Sequence, residues 1–152
     1  MTSQDTVIAN ALPADIPALV ELLAELFSIE ADFQPDTERQ VLGLSLLLSR
    51  PEQAVIKVAR HDGNVVGMVS VQLVISTAQG TPSAWVEDMV VSAAFRSGGL
   101  GRKLLLAAEE WAKARGASRM QLLVDVENQP AIAYYQHLGW ESTQLQARKL
   151  FI

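Results

Sequence analysis

The sequence predicts a mixed α/β sheet with a crossover connection in its second half. Three observations predict it. Hydrophobic spacing runs helical, then alternating, then helical again. The turn His61-Asp62-Gly63-Asn64 separates two strand-like runs. A glycine-rich segment later joins a strand to an amphipathic helix, the signature of a strand–helix–strand unit.

In chain order, Thr6 to Ala9 reads as a short first strand. Asp15 is a candidate helix cap, and Pro17 is tolerated in a first turn. Ile16, Leu19, Val20, Leu22, Leu23 and Leu26 then recur at helical spacing. The polar stretch from Glu30 to Thr37 ends that helix, and Val41, Leu42, Leu44 and Leu48 mark a second, stopped before Pro51. Ala54 to Arg60 and Val65 to Ile75 form the predicted hairpin. Thr77 to Ser83 reads as a loop and Trp85 to Val91 as a long strand. A helix follows from Gly99 to Arg115, with Gly116 at its C-cap. Ser118 to Asp125 reads as a strand, Asn128 or its neighbour opens a helix that ends before Gly139, and Leu145 to Phe151 reads as a closing strand.

The chain has 152 residues and 49% hydrophobic composition, enough for one folded domain spanning 1–152. It has no cysteine, which excludes a disulfide framework, a thiol nucleophile and Cys-ligated metal. The first 15 residues lack a basic and an apolar segment, so no signal peptide is expected, and a cytoplasmic setting fits. No apolar run reaches the roughly 20 residues needed to span a bilayer, so no membrane partner is expected. A net charge of -5 argues against nucleic acid as a partner.

The segment Arg96-Ser97-Gly98-Gly99-Leu100-Gly101 precedes the amphipathic helix. A helix start presents unpaired N–H groups and the positive end of the backbone dipole. Glycines clear side chains from those groups, and Arg96 adds a cation, so the loop suits a pyrophosphate. A tight turn is the competing reading. The Lys-Ser/Thr pair of a Walker loop is missing, as is the G-x-G-x-x-G order of a dinucleotide fingerprint.

The spans VEDMVVSAAFRSGGLGRKLL and ENQPAIAYYQHLGW together resemble the GCN5-related N-acetyltransferase (GNAT) superfamily, nearest in motif to its diamine and polyamine branch. Arg96, Gly99 and Gly101 match its acetyl-CoA motif, and Ser97 departs from the glycine common there. The resemblance implies a GNAT-like mixed sheet: an antiparallel N-terminal meander, a β-α-β-α-β C-terminal half, and helices on both faces. It implies acetyl-CoA as cofactor. The backbone of Met89, Val90 and Val91 would pair with the pantetheine arm, and N–H groups from Ser97, Gly98, Gly99, Leu100, Gly101 and Arg102 would take the pyrophosphate. Arg102 or Lys103 would meet the other phosphates, and Asn128 would contact the cofactor or shape its turn. Tyr135 matches the tyrosine of the later motif, so it would touch cofactor and protonate the leaving thiolate.

Acyl transfer to an amine also needs a group that accepts the ammonium proton. Glu87 is the candidate base, directly or through water, because a Glu-Asp pair inside an apolar strand is costly unless paired or used. Strict alternation puts Glu87 on the face of Met89 and Val91, with Asp88 on the opposite face. Asp88 is a candidate acceptor-binding residue, as are Phe27, Glu30 and Asp32; Asp36 and Phe33 lie in the same region. His61 in its turn is expected to be solvent-exposed, and the two separated histidines imply no metal. A small-molecule amine is the expected acceptor, with a peptide amine or a non-catalytic acyl-CoA sensor as alternatives. Many members of the superfamily pair, so a homodimer is a further expectation.

Overall fold

The computed structural model describes residues 6–30 and 34–152. Its contacts divide the chain into two compact units, Met1–Gln121 and Leu122–Ile152.

In the first unit, β1 (Thr6–Asn10) leads through a turn at Pro13–Asp15 into α1 (Ile16–Ile29), followed by α2 (Thr37–Leu48). Then come β2 (Ala54–His61), β3 (Asn64–Ser76), β4 (Thr81–Val91), α3 (Leu100–Ala114) and β5 (Arg119–Leu122), whose last residue reaches the unit boundary. The sheet order is β1-β2-β3-β4-β5, and the first four strands pair antiparallel. The Ser118 N–H donates to the Pro82 carbonyl, and the Ser83 hydroxyl donates to the Arg119 carbonyl. These contacts advance the same way along both chains, so β5 runs parallel to β4, as a helical crossover requires.

Helices lie on both faces. Leu19, Leu22 and Leu23 of α1 and Leu44 of α2 pack on Ile56, Val58, Met68 and Val90. On the other face, Leu104 and Ala108 of α3 are fully buried. Gly67 lets α3 approach: a Cβ there would lie 3.2 Å from the Leu104 Cδ1. The expected antiparallel meander and crossover are present.

Several local expectations change. Asp15 is no ordinary cap of α1, because its carboxylate accepts from the Leu12 N–H and pairs with Arg60 at 2.6 Å. The loop expected to run to Ser83 ends earlier, since cross-strand pairing to β3 carries β4 back to Thr81. The strand expected over 118–125 shortens to β5. His61 is half-buried, since its ring stacks on Phe95 with centroids 4.9 Å apart.

The second unit contains α4 (Gln129–His137). Asn128 caps it, its Oδ1 accepting from the Ala131 N–H, and Pro130 sits in the first turn. The closing strand expected over Leu145–Phe151 is not formed: these residues have no regular structure, and Leu145, Leu150 and Phe151 are exposed. Alternating apolar residues stabilise a strand only where a neighbouring strand takes their backbone groups, and the described residues of this tail pair with none.

Candidate active site

The register of β3 against β4 shifts where the acids lie. Ser70 pairs with Asp88, yet Val71 pairs with Val86, so Glu87 is an extra residue in β4. This is a β-bulge, which re-aims side chains. Strict alternation would send Glu87 and Asp88 to opposite faces. The bulge brings both to one cleft, beneath α2.

Ser70 is fully buried; its hydroxyl donates to the Asp88 Oδ2 at 3.2 Å and accepts the Asp88 N–H at 3.1 Å. Burial pushes the Asp88 carboxyl up to about 6, and the negative charges of Glu87 and Glu30 push the same way. The Ser70 hydrogen bond opposes them. Glu87 is exposed, and its Oε2 accepts from the Trp85 indole N–H at 2.6 Å. The cleft holds about 430 Å³ and is lined by Leu23, Leu44, Leu46, Leu47 and Gly43, by Arg39, Gln40, Arg50 and Gln72, and by Glu87 and Asp88.

Of the other acceptor candidates, Glu30 caps the C-terminus of α1 and lies near enough to Asp88 to act on its charge. Phe27 is partly buried against the core cluster. Asp32 and Phe33 lie outside the described residues. Asp36 caps α2, accepting from the Arg39 N–H at 3.2 Å, a structural task rather than a pocket role.

The loop residues gather at the start of α3. Ser97 and Gly99 take positive φ of 70° and 82°, a conformation that turns the chain into the helix. The N–H groups of Leu100, Gly101 and Arg102 have no acceptor within the helix, because its first i→i−4 bond is from Lys103 to Gly99. Among the described residues nothing lies within 4 Å of a Cβ added at Gly99, so they leave the approach open. Arg102 and Lys103 are exposed in the first turn. Arg96 is committed elsewhere: its Nε donates to the Val91 carbonyl at 2.9 Å, and its Nη2 pairs with Glu25 at 3.3 Å. Glu25 also accepts from the Ala93 N–H. Arg96 and Glu25 therefore brace the loop, and sequence spacing held no signal for Glu25. Met89, Val90 and Val91 pair with β3 on one side. On the other, Ser118 and Arg119 bond Thr81, Pro82 and Ser83 at the start of β4. An anion-binding helix start beside such a strand end fits a pyrophosphate on a pantetheine arm.

In the second unit, Asn128 is occupied as the helix cap. Tyr135 is half-buried and meets Trp140 and Tyr134 edge-on, at centroid distances of 5.8 and 5.5 Å.

A model of the acetyltransferase (GNAT) family matches residues 16–140. The chain belongs to that family. It is therefore an acetyltransferase of a family that uses acetyl-CoA. It is 27% identical to the aminoglycoside N(6')-acetyltransferase type 1 of Stenotrophomonas maltophilia over 147 residues, covering 95% of this chain and 92% of the relative. It is 25% identical to the aminoalkylphosphonate N-acetyltransferase of Salmonella typhimurium over 142 residues, covering 93% and 89%. The fold also superposes on the aminoglycoside N-acetyltransferase AAC(6')-Iy, solved with CoA, with a TM-score of 0.77 at 19% identity, covering 97% and 93%.

Proposed function

We propose that this acetyltransferase moves the acetyl group of acetyl-CoA directly to a primary amine of a small molecule held in the cleft between α2 and the β4 bulge. The observation that carries this reading is the bulge itself. It presents Glu87 and Asp88 together in a cleft whose volume suits a metabolite. Relatives named for aminoglycoside and aminoalkylphosphonate acceptors support a small amine over a peptide.

When bound, acetyl-CoA supplies an activated acyl carbon. The chain's own groups do the rest. The N–H groups at the start of α3, with Arg102 and Lys103, hold the phosphates, and Met89 to Val91 offer backbone partners to the arm. Glu87 holds the ammonium. Asp88, raised to about 6, accepts its proton at neutral pH, where a base of that strength is both ionised and competent. The amine nitrogen then forms the C–N bond as the C–S bond breaks, with no covalent enzyme intermediate. Tyr135 protonates the departing sulfur, and the second proton that the nitrogen sheds as the amide forms passes to solvent, from which the phenol recovers its own. We take residues 1–152 as one catalytic domain, because the family match runs through both units.

The test is acetyl-CoA-dependent thiol release over a panel of amines, with Glu87→Gln, Asp88→Asn and Tyr135→Phe alongside the parent. Turnover of a small amine, with kcat lowered about 10²-fold or more in Asp88→Asn and Tyr135→Phe, is expected. Unchanged kcat in Asp88→Asn would remove it as the base. Turnover confined to peptides would overturn the small-amine reading.

A further inference from the structure

The cleft is not uniformly acidic. Glu87 and Asp88 lie on its sheet side with Gln72, while Arg39 in the first turn of α2 and Arg50 just past its C-cap also line it. Arg39 reaches the Asp36 carboxylate only at 3.6 Å and is largely exposed, and among the described residues no carboxylate pairs with Arg50. A cleft built for a plain diamine gains nothing from two guanidinium groups, because they repel a second cationic end. Guanidinium instead matches the planar or tetrahedral oxygens of a carboxylate, phosphonate or phosphate.

Gly43 points the same way. It lies inside α2, where glycine is unfavourable relative to alanine. Among the described residues a Cβ there would meet nothing within 4 Å, so no packing among them demands glycine. It lines the cleft, between the two arginines in sequence. The missing side chain keeps open the span from the arginines to the acids.

We propose that the acceptor is a small zwitterion, a primary amine that also carries an oxyanion, with its ammonium at Glu87 and Asp88 and its oxyanion at Arg39 and Arg50. This rests on the reading of the cleft as the acceptor site and narrows it to a substrate class. The two charged ends fix the direction in which the molecule lies, so the amine alone faces the carboxylates.

The experiment compares matched amines that differ only in the anionic end: ethylamine, β-alanine and 2-aminoethylphosphonate, with putrescine as the dicationic control. Each is assayed for turnover with acetyl-CoA. Each is also titrated into the CoA-saturated protein, so that binding is read without turnover. The parent, Arg50→Gln, and Arg39→Gln combined with Arg50→Gln are compared. We expect kcat/KM or affinity at least about tenfold higher for an anionic amine than for ethylamine. That ratio should collapse in the double variant, because the anionic amine loses far more than ethylamine does. Relative strength of β-alanine and 2-aminoethylphosphonate tells carboxylate from phosphonate. A preference for putrescine or ethylamine, an unchanged ratio in the double variant, or no binding and no turnover of either anionic amine would overturn the inference. Failure to bind CoA at all would instead sink the acetyltransferase site itself.

Discussion

In the proposed reaction, Asp88 carries the proton transfer of the cleft in one carboxyl group. Its pKa of about 6 comes first from burial, then from Glu87, against the Ser70 hydroxyl. Activity should therefore rise with pH through an acid limb near 6 in kcat/KM. Removing the hydroxyl in Ser70→Ala deletes a bond that favours the ionised form, so the limb should move to higher pH. A purely structural role for Ser70 would lower stability and leave the limb in place, and a pH–rate profile separates the two. Gly99 makes a different demand on its residue. Its φ of 82° is strained for any side chain. Gly99→Ala should cost roughly 1 kcal/mol in denaturant melts. Its CoA affinity should fall further than that loss explains, because the methyl stands beside the open N–H groups of α3.

At the scale of elements, α2 and β4 show what a linear reading could reach. The helices, the hairpin and the strand–loop–helix unit were legible because their hydrophobic periods are long and their turns carry glycine. The acidic pair was legible as an anomaly, but not its geometry. A bulge moves Glu87 one place out of alternation, and no glycine or proline marks it in the sequence. Arg39 and Gly43, residues of the proposed site, were invisible for another reason: α2 reads as an amphipathic helix, and only folding shows which element its polar face meets. The closing strand failed because alternation describes a strand's faces and says nothing of whether a partner edge exists. Gly43 gives this scale its own test. Gly43→Ala should stabilise the fold by about 0.5–1 kcal/mol, since it removes backbone entropy and meets no atom. Gly67→Ala should do the reverse, costing about 1–3 kcal/mol, because its methyl meets Leu104 and the Val90 carbonyl. Thermal melts of the pair would show opposite signs.

Across the whole molecule, two carboxyl groups set opposing pH dependences. Asp15 is held below its usual value of 3.8, chiefly by its hydrogen bonds from Arg60, so its stabilisation is fully present above that value. It is lost as pH falls below 3.8, where the unfolded chain takes up a proton the folded chain refuses. Asp88 behaves in the reverse sense. Its folded value of about 6 exceeds 3.8, so between them the folded state binds more protons than the unfolded state. Stability then declines as pH rises from about 4 to 6, and the ionised carboxylate remains a cost above that. At 1.36 kcal/mol per unit, reduced for solvent at the mouth of the cleft, the cost is on the order of 1–3 kcal/mol. Unfolding free energy measured from pH 3 to 8 should therefore climb at the acid end, peak between about 4 and 5, and then fall. Asp88→Asn should abolish the fall and be more stable than the parent at pH 7.5 while losing activity. Asp15→Asn should abolish the climb and be less stable at neutral pH. A parent curve that keeps rising from pH 4 to 7 would mean that Asp88 is not buried as a cost in the folded protein. The proposed reaction would then lack the strained base it calls for.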